Sequence, residues 1–192
     1  MNYSEAESNV AKVVVAPGKP KIGSTSRTAS SITLNWAKTT GATAYRVYIK
    51  KNGKFTKVAN TTGLKYTVKG LASATTYEFA VKAFVNGVAS PVYSVRTTTT
   101  APAKVSTPVV TAKGSRKVAV SYGKVTRATG YQVYMAKGNG SYKKVAQGKL
   151  TAITKSKLTK GATYKFKVRA YKTVGSNVYY GAFSSAKAVK VK

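Results

Sequence analysis

Cysteine and histidine are missing from this 192-residue chain, and acidic residues are nearly so. Without a thiol there is no disulfide, no iron–sulfur cluster and no thiolate nucleophile, so stability outside the cell has to come from packing. The acidic side chains are Glu5, Glu7 and Glu78, two of them within a leader over 1–17 that reads as partly disordered. Hydrolysis by paired carboxylates needs two titratable groups flanking one bond, and zinc or calcium sites need His, Cys or clustered carboxylates. These chemistries are excluded. A Ser or Thr nucleophile has no His or acid beside it to act as base, and the glycines are scattered through turns instead of forming a phosphate-cradling loop. The sequence therefore carries no expected catalytic, cofactor or metal residue.

Long apolar runs are also lacking. The longest is Val13-Val14-Val15-Ala16, whereas a membrane-spanning helix needs about 20 apolar residues. Met1-Asn2-Tyr3-Ser4-Glu5 does not read as a signal peptide, which begins basic and continues apolar. Met1 reads as the start of a piece cut from a longer protein.

Positive charge is abundant. The chain has 34 Lys plus Arg and a net charge of +31. Residues 1–100 carry +11 and residues 101–192 carry +20, the latter without one acid. Such a charge sets up a field that attracts polyanions, or it serves only to keep the protein in solution.

The chain repeats itself. Ala42-Thr43-Ala44-Tyr45-Arg46-Val47-Tyr48 recurs as Ala128-Thr129-Gly130-Tyr131-Gln132-Val133-Tyr134. Thr76-Tyr77-Glu78-Phe79-Ala80-Val81-Lys82-Ala83 recurs as Thr163-Tyr164-Lys165-Phe166-Lys167-Val168-Arg169-Ala170, one residue further on. The inserted residue falls in a turn, where insertions cost little. Each repeat reads as seven short strands of alternating polarity, the first set between Lys21 and Thr99 and the second between Val109 and Val191, with Asn52-Gly53 as a tight-hairpin signal. The expected domains are 18–100 and 101–192. Their joint, Thr98 to Pro108, is expected to be extended and exposed.

Trp36 on the second strand, Tyr45-Arg46-Val47-Tyr48 on the third, and Leu71 six residues before Tyr77 in a Tyr-x-Phe-x-Val-x-Ala strand resemble a fibronectin type III domain. The second repeat resembles it through Leu158, Tyr164, Phe166, Val168 and Ala170, with Tyr122 where that family usually has Trp. The resemblance covers about residues 18–192. It implies an all-β chain of two tandem immunoglobulin-like β-sandwiches, seven strands each, with Tyr77 and Tyr164 as tyrosine-corner residues. It further implies a bacterial, extracellular or cell-surface module acting as a monomeric spacer between neighbouring domains of a parent protein. No Arg-Gly-Asp sequence occurs.

Two candidate sites follow. On the sixth strand of the second repeat, Lys165, Lys167 and Arg169 alternate with core residues and are expected on the outer sheet face, flanked by Gln132 and an exposed Tyr134 on one side and Lys190 and Lys192 on the other. This basic stripe is either an edge-protecting, solvated face or a footprint for an anionic cell-envelope polymer or polysaccharide. Nucleic acid fits less well, since no stacking array of aromatics is evident. The second candidate is the loop from Lys172 to Phe183, where Tyr179 and Tyr180 could stack on a sugar ring. Against that, Phe183 and one of the two tyrosines could simply pack under the loop.

Overall fold

Val, Ile, Thr and Tyr alternating with polar residues favour extended backbone, in which successive side chains reach opposite faces. In the computed structural model, which describes residues 14–192, this produces sixteen strands and no helix among the described residues. The first repeat contains β1 (Ile22–Arg27), β2 (Ile32–Trp36), β3 (Ala44–Lys51), β4 (Lys54–Thr61), β5 (Lys65–Val68), β6 (Thr76–Val85), β7 (Val88–Ala89) and β8 (Ser94–Thr99). The second contains β9 (Val109–Ala112), β10 (Val118–Ser121), β11 (Gly130–Lys137), β12 (Lys143–Gly148), β13 (Ala152–Lys155), β14 (Thr163–Val174), β15 (Asn177–Tyr180) and β16 (Lys187–Lys190). The seven expected strands of each repeat are present. Each repeat adds a short one, β7 or β15, directly after its long sixth strand. The leader over 1–17 falls mostly outside the described residues.

Three-stranded sheets run β1–β2–β5 and β9–β10–β13; five-stranded sheets run β4–β3–β6–β7 with β8 on β6, and β12–β11–β14–β15 with β16 on β14. One sheet of each kind per repeat is the two-sheet plan of an immunoglobulin-like sandwich. The described residues form two compact units: residues up to Ser24, Asn35–Tyr66 and Phe79–Arg96 make one, and Thr25–Leu34, Thr67–Glu78 and Thr97–Lys192 make the other.

In the first unit, alternation places Tyr45, Val47 and Ile49 of β3 and Phe79, Val81 and Ala83 of β6 in the core. Trp36 is 4% exposed and its ring lies 5.6 Å from that of Tyr45. In the second unit, Val118 and Val120 of β10, Tyr131 and Val133 of β11, and Tyr164, Phe166, Val168 and Ala170 of β14 share one apolar cluster with Val105, Leu158 and Val191. Tyr122 stands where the first repeat has Trp36. Its ring is 5.2 Å from Tyr131, its hydroxyl donates to the Leu150 carbonyl at 2.9 Å, and burial followed by the nearby Tyr131 pushes its phenol up to about 12. The tyrosine corners form as expected. Tyr77 accepts from the Ala72 N–H at 2.8 Å and Tyr164 from the Thr159 N–H at 3.2 Å.

The joint differs from the exposed linker expected. Thr98, Thr99, Thr100 and Ala101 are all buried. Thr100 Oγ1 donates to the Ala72 carbonyl at 2.7 Å and accepts from the Thr75 N–H at 3.0 Å, while the Ala101 N–H donates to Thr28. Four residues later Val105 is already in the second core. The Thr100 hydroxyl here satisfies backbone groups just past a strand end, so the joint is buried at its start, while 100–108 lie outside any strand and Lys104, Ser106 and Thr107 are exposed as expected.

Candidate polyanion-binding face

The outer face of the second repeat's five-stranded sheet is set by β14. Its inward residues are buried, which forces Lys165, Lys167 and Arg169 onto the opposite face. In the pairing register Gln132 lies opposite Arg169, Tyr134 opposite Lys167, and Thr163 opposite Lys190. Lys190 thus shares the face at its lower end, whereas Lys192 lies past the end of β16, outside the ladder. A β-bulge between Val133 and Tyr134 places Lys144 of edge strand β12 opposite Tyr134. The same bulge occurs between Val47 and Tyr48 and brings Lys57 opposite Tyr48.

The stripe is not a row of water-facing cations. Lys165, Lys167, Arg169 and Tyr134 are each half-buried. Arg169 Nε donates to Gln132 Oε1 at 2.9 Å and Nη2 donates to the Tyr134 hydroxyl at 3.2 Å. Its guanidinium lies 4.1 Å from the Tyr180 ring centre, 4.8 Å from Phe183 and 5.5 Å from Tyr134. Lys167 Nζ lies 4.1 Å from the Tyr142 ring and 4.3 Å from Phe183. Phe183 meets Tyr134 edge to face at 5.0 Å. Lys165 Nζ donates to Asn139 Oδ1, and Lys144 Nζ joins Gln132 on Gln147 Oε1. With no carboxylate paired to them among the described residues, the long side chains lie along aromatic surface and their charges settle over ring faces.

Two expectations change here. An aromatic array does exist, made of Tyr134, Tyr142, Tyr180 and Phe183; it went unseen because its members come from β11, the turn before β12, β15 and the segment after β15, and only the register brings them together. Tyr179 and Tyr180, expected as a stacking pair in a loop, lie on β15, with Tyr180 opposite Tyr171 and Tyr179 opposite Lys172. Alternation sends them to opposite faces. Tyr180 joins the array at 44% exposure, and Tyr179 lies 4.6 Å from the Arg27 guanidinium. One sugar ring cannot stack on both. Phe183 covers the sheet face and does not pack under a loop.

The first repeat builds a related but less basic face. Tyr93 meets Tyr48 at 5.0 Å and Phe55 at 4.9 Å, with Lys82 over Tyr93 and Arg46 over Phe84. At the positions matching Lys165 and Lys167 stand Glu78 and Ala80. No cluster of three or more metal-ligating side chains occurs among the described residues.

The profile of the Fibronectin type III domain matches residues 16–100, and the second repeat carries the same strand plan and the same bulge. Residues 16–100 belong to the fibronectin type III family, and the second repeat has the same fold. The fold of the chain is that of a two-domain fibronectin type III segment from chicken tenascin, with a TM-score of 0.55, 17% identity, and coverage of 91% of this chain and 99% of that one. Among curated proteins, this fibronectin type III tandem is 31% identical to Exoglucanase B of Cellulomonas fimi over 92% of the chain and 17% of that enzyme. Chitinase A1 of Niallia circulans is 48% identical over 35% of the chain and 10% of that enzyme. A poly(3-hydroxybutyrate) depolymerase of Delftia acidovorans is 36% identical over 36% of the chain and 14% of its own length. The chain thus spans less than a fifth of the length of each of these relatives.

Proposed function

We propose that the chain is a non-catalytic spacer of a larger extracellular bacterial protein acting on a polymer, and that its second domain adds weak, salt-sensitive adhesion to an anionic cell-envelope polymer. The domains are taken as 18–100 and 101–192, each a monomeric sandwich. By their names, the relatives act on a glucan, on chitin and on poly(3-hydroxybutyrate). The last is a polyester without sugar rings. A module common to all three serves a task independent of substrate chemistry, which favours spacing over substrate recognition. No described helix is long and apolar enough to cross a membrane.

The observation that carries the adhesive part is the outer face of β11, β12 and β14. Lys144, Lys165, Lys167 and Arg169 gather there in a stretch where no acidic residue follows Glu78. Their hydrogen bonds go to amides and a phenol and their charges to rings, which position a cation without cancelling it. At about 0.15 M salt screening acts within about 8 Å, so attachment requires contact. The full chain is expected to be retained on an anionic wall polymer and released as salt rises from about 0.05 to 0.5 M. Retention indifferent to salt would remove the electrostatic reading. Deleting the segment from a polymer-degrading parent should leave kcat on a soluble oligomer unchanged; a fall in that kcat counts against a spacer.

The alternative, a carbohydrate- or protein-binding accessory module of a polysaccharide-degrading enzyme, is favoured in its carbohydrate form by one observation. Tyr134, Tyr142, Tyr180 and Phe183 share a single sheet face.

A further inference from the structure

Two cations on this face lean on one ring and, among the described residues, lack a counter-charge. Lys167 Nζ and the Arg169 guanidinium lie 4.3 and 4.8 Å from the Phe183 ring centre, so they are no more than about 9 Å apart, the sum of those two distances. Among the described residues Lys167 Nζ has no hydrogen-bond acceptor, only the Tyr142 and Phe183 rings. Arg169 spends Nε and Nη2 on Gln132 and Tyr134, which leaves Nη1 for an outside partner. Gln132 is 3% exposed, so this anchor is well fixed.

Resting on the adhesive reading above, we infer that the face takes a carboxylated polysaccharide, a polymer whose anionic groups are borne on pyranose rings. A carboxylate placed against Lys167 or Arg169 Nη1 gains hydrogen bonds to an opposite charge, which neither residue finds among the described residues. Whatever carries that carboxylate is laid over the rings flanking the cations, among which Tyr180 is 44% exposed. The C–H face of a pyranose gains from contact with an aromatic ring; a bare phosphate chain has no such surface to offer. Lys165, Lys167 and Arg169 recur about every 6.7 Å along β14, the spacing of alternate strand residues, so the site suits an extended chain with repeated charges.

The test compares binding of the 192-residue chain to polygalacturonate, to linear inorganic polyphosphate and to a neutral glucan at several salt concentrations. Polygalacturonate is expected to bind more tightly than the neutral glucan, and Lys167→Gln to weaken both polyanions and lower the salt slope by up to about one. Tyr180→Ala, which alters an exposed ring, is expected to weaken polygalacturonate about three- to tenfold and polyphosphate distinctly less, with binding read at a temperature where the variant remains folded. Equal loss for both polyanions, or no loss for either, overturns the inference while leaving salt-sensitive adhesion standing. A neutral glucan held as tightly as polygalacturonate also overturns it. If neither polyanion binds even at low salt, the adhesive reading itself fails.

Discussion

At Gly130 a single missing carbon decides whether β11 can pair. A Cβ there would sit 2.6 Å from the Gly148 carbonyl oxygen and 2.6 Å from the Tyr171 hydroxyl; since Gly148 lies on the backbone, it has little room to yield. Gly130→Ala is therefore expected to lower the stability of the second domain by about 1–3 kcal/mol, read as a fall in its urea midpoint without a change in slope. The equivalent residue of the first repeat is Ala44, so sequence comparison alone makes this substitution look harmless. Tyr122 gives a second residue-scale test. Its phenol is pushed up to about 12, chiefly by burial, while in the unfolded chain it titrates near 10. The native state then holds a proton that the unfolded state has lost, and stability falls as pH rises from about 10 to 12. Tyr122→Phe should flatten that decline; an equally steep decline in the variant would exclude Tyr122 as its source.

Strand β14 shows how far an alternating pattern can be read. Which residues of it face the core was legible in Tyr164, Phe166, Val168 and Ala170, because period-two apolarity has one interpretation on a sandwich strand. What covers its other face was not, since Tyr142 and Phe183 lie outside β12 and β15, and their meeting with Lys167 depends on pairing register and on a bulge. Tyr179 and Tyr180 read as loop residues for a related reason: Asn177-Val178-Tyr179-Tyr180 has no polar/apolar alternation to mark a strand. The energetic consequence is specific. Had Lys165, Lys167 and Arg169 faced water, replacing all three by Gln would leave the melt unchanged. With Arg169 bonded to Gln132 and Tyr134 and lying over aromatic rings, the triple variant should lose about 1–3 kcal/mol. Arg169→Gln alone should account for most of it, and a triple variant melting like the parent would show that the ring contacts add nothing.

For the whole chain, the boundary between the domains is the proposal most open to test. Trp36 is a large aromatic side chain, nearly fully buried, and its Nε1 has no hydrogen-bond partner among the described residues. Trp36→Ala should cost about 3–5 kcal/mol of the 5–15 kcal/mol that holds a domain folded. Calorimetry should then show one transition moved to lower temperature and a second unmoved. A single transition shifted as a whole would mean that 18–100 and 101–192 melt as one body, a result compatible with a joint as buried as Thr98–Ala101. The covering of rings and cations on β14 has a consequence of another kind. Surfaces held by ion pairs come apart in acid as their carboxylates take up protons. The covering is built from Lys, Arg, Tyr, Phe, Gln and Asn side chains with no carboxylate or histidine among them, so acid has no ion pair to break there. Its order, followed by near-ultraviolet circular dichroism of the tyrosines, should persist at pH 3, making it a sheet surface suited to acidic surroundings.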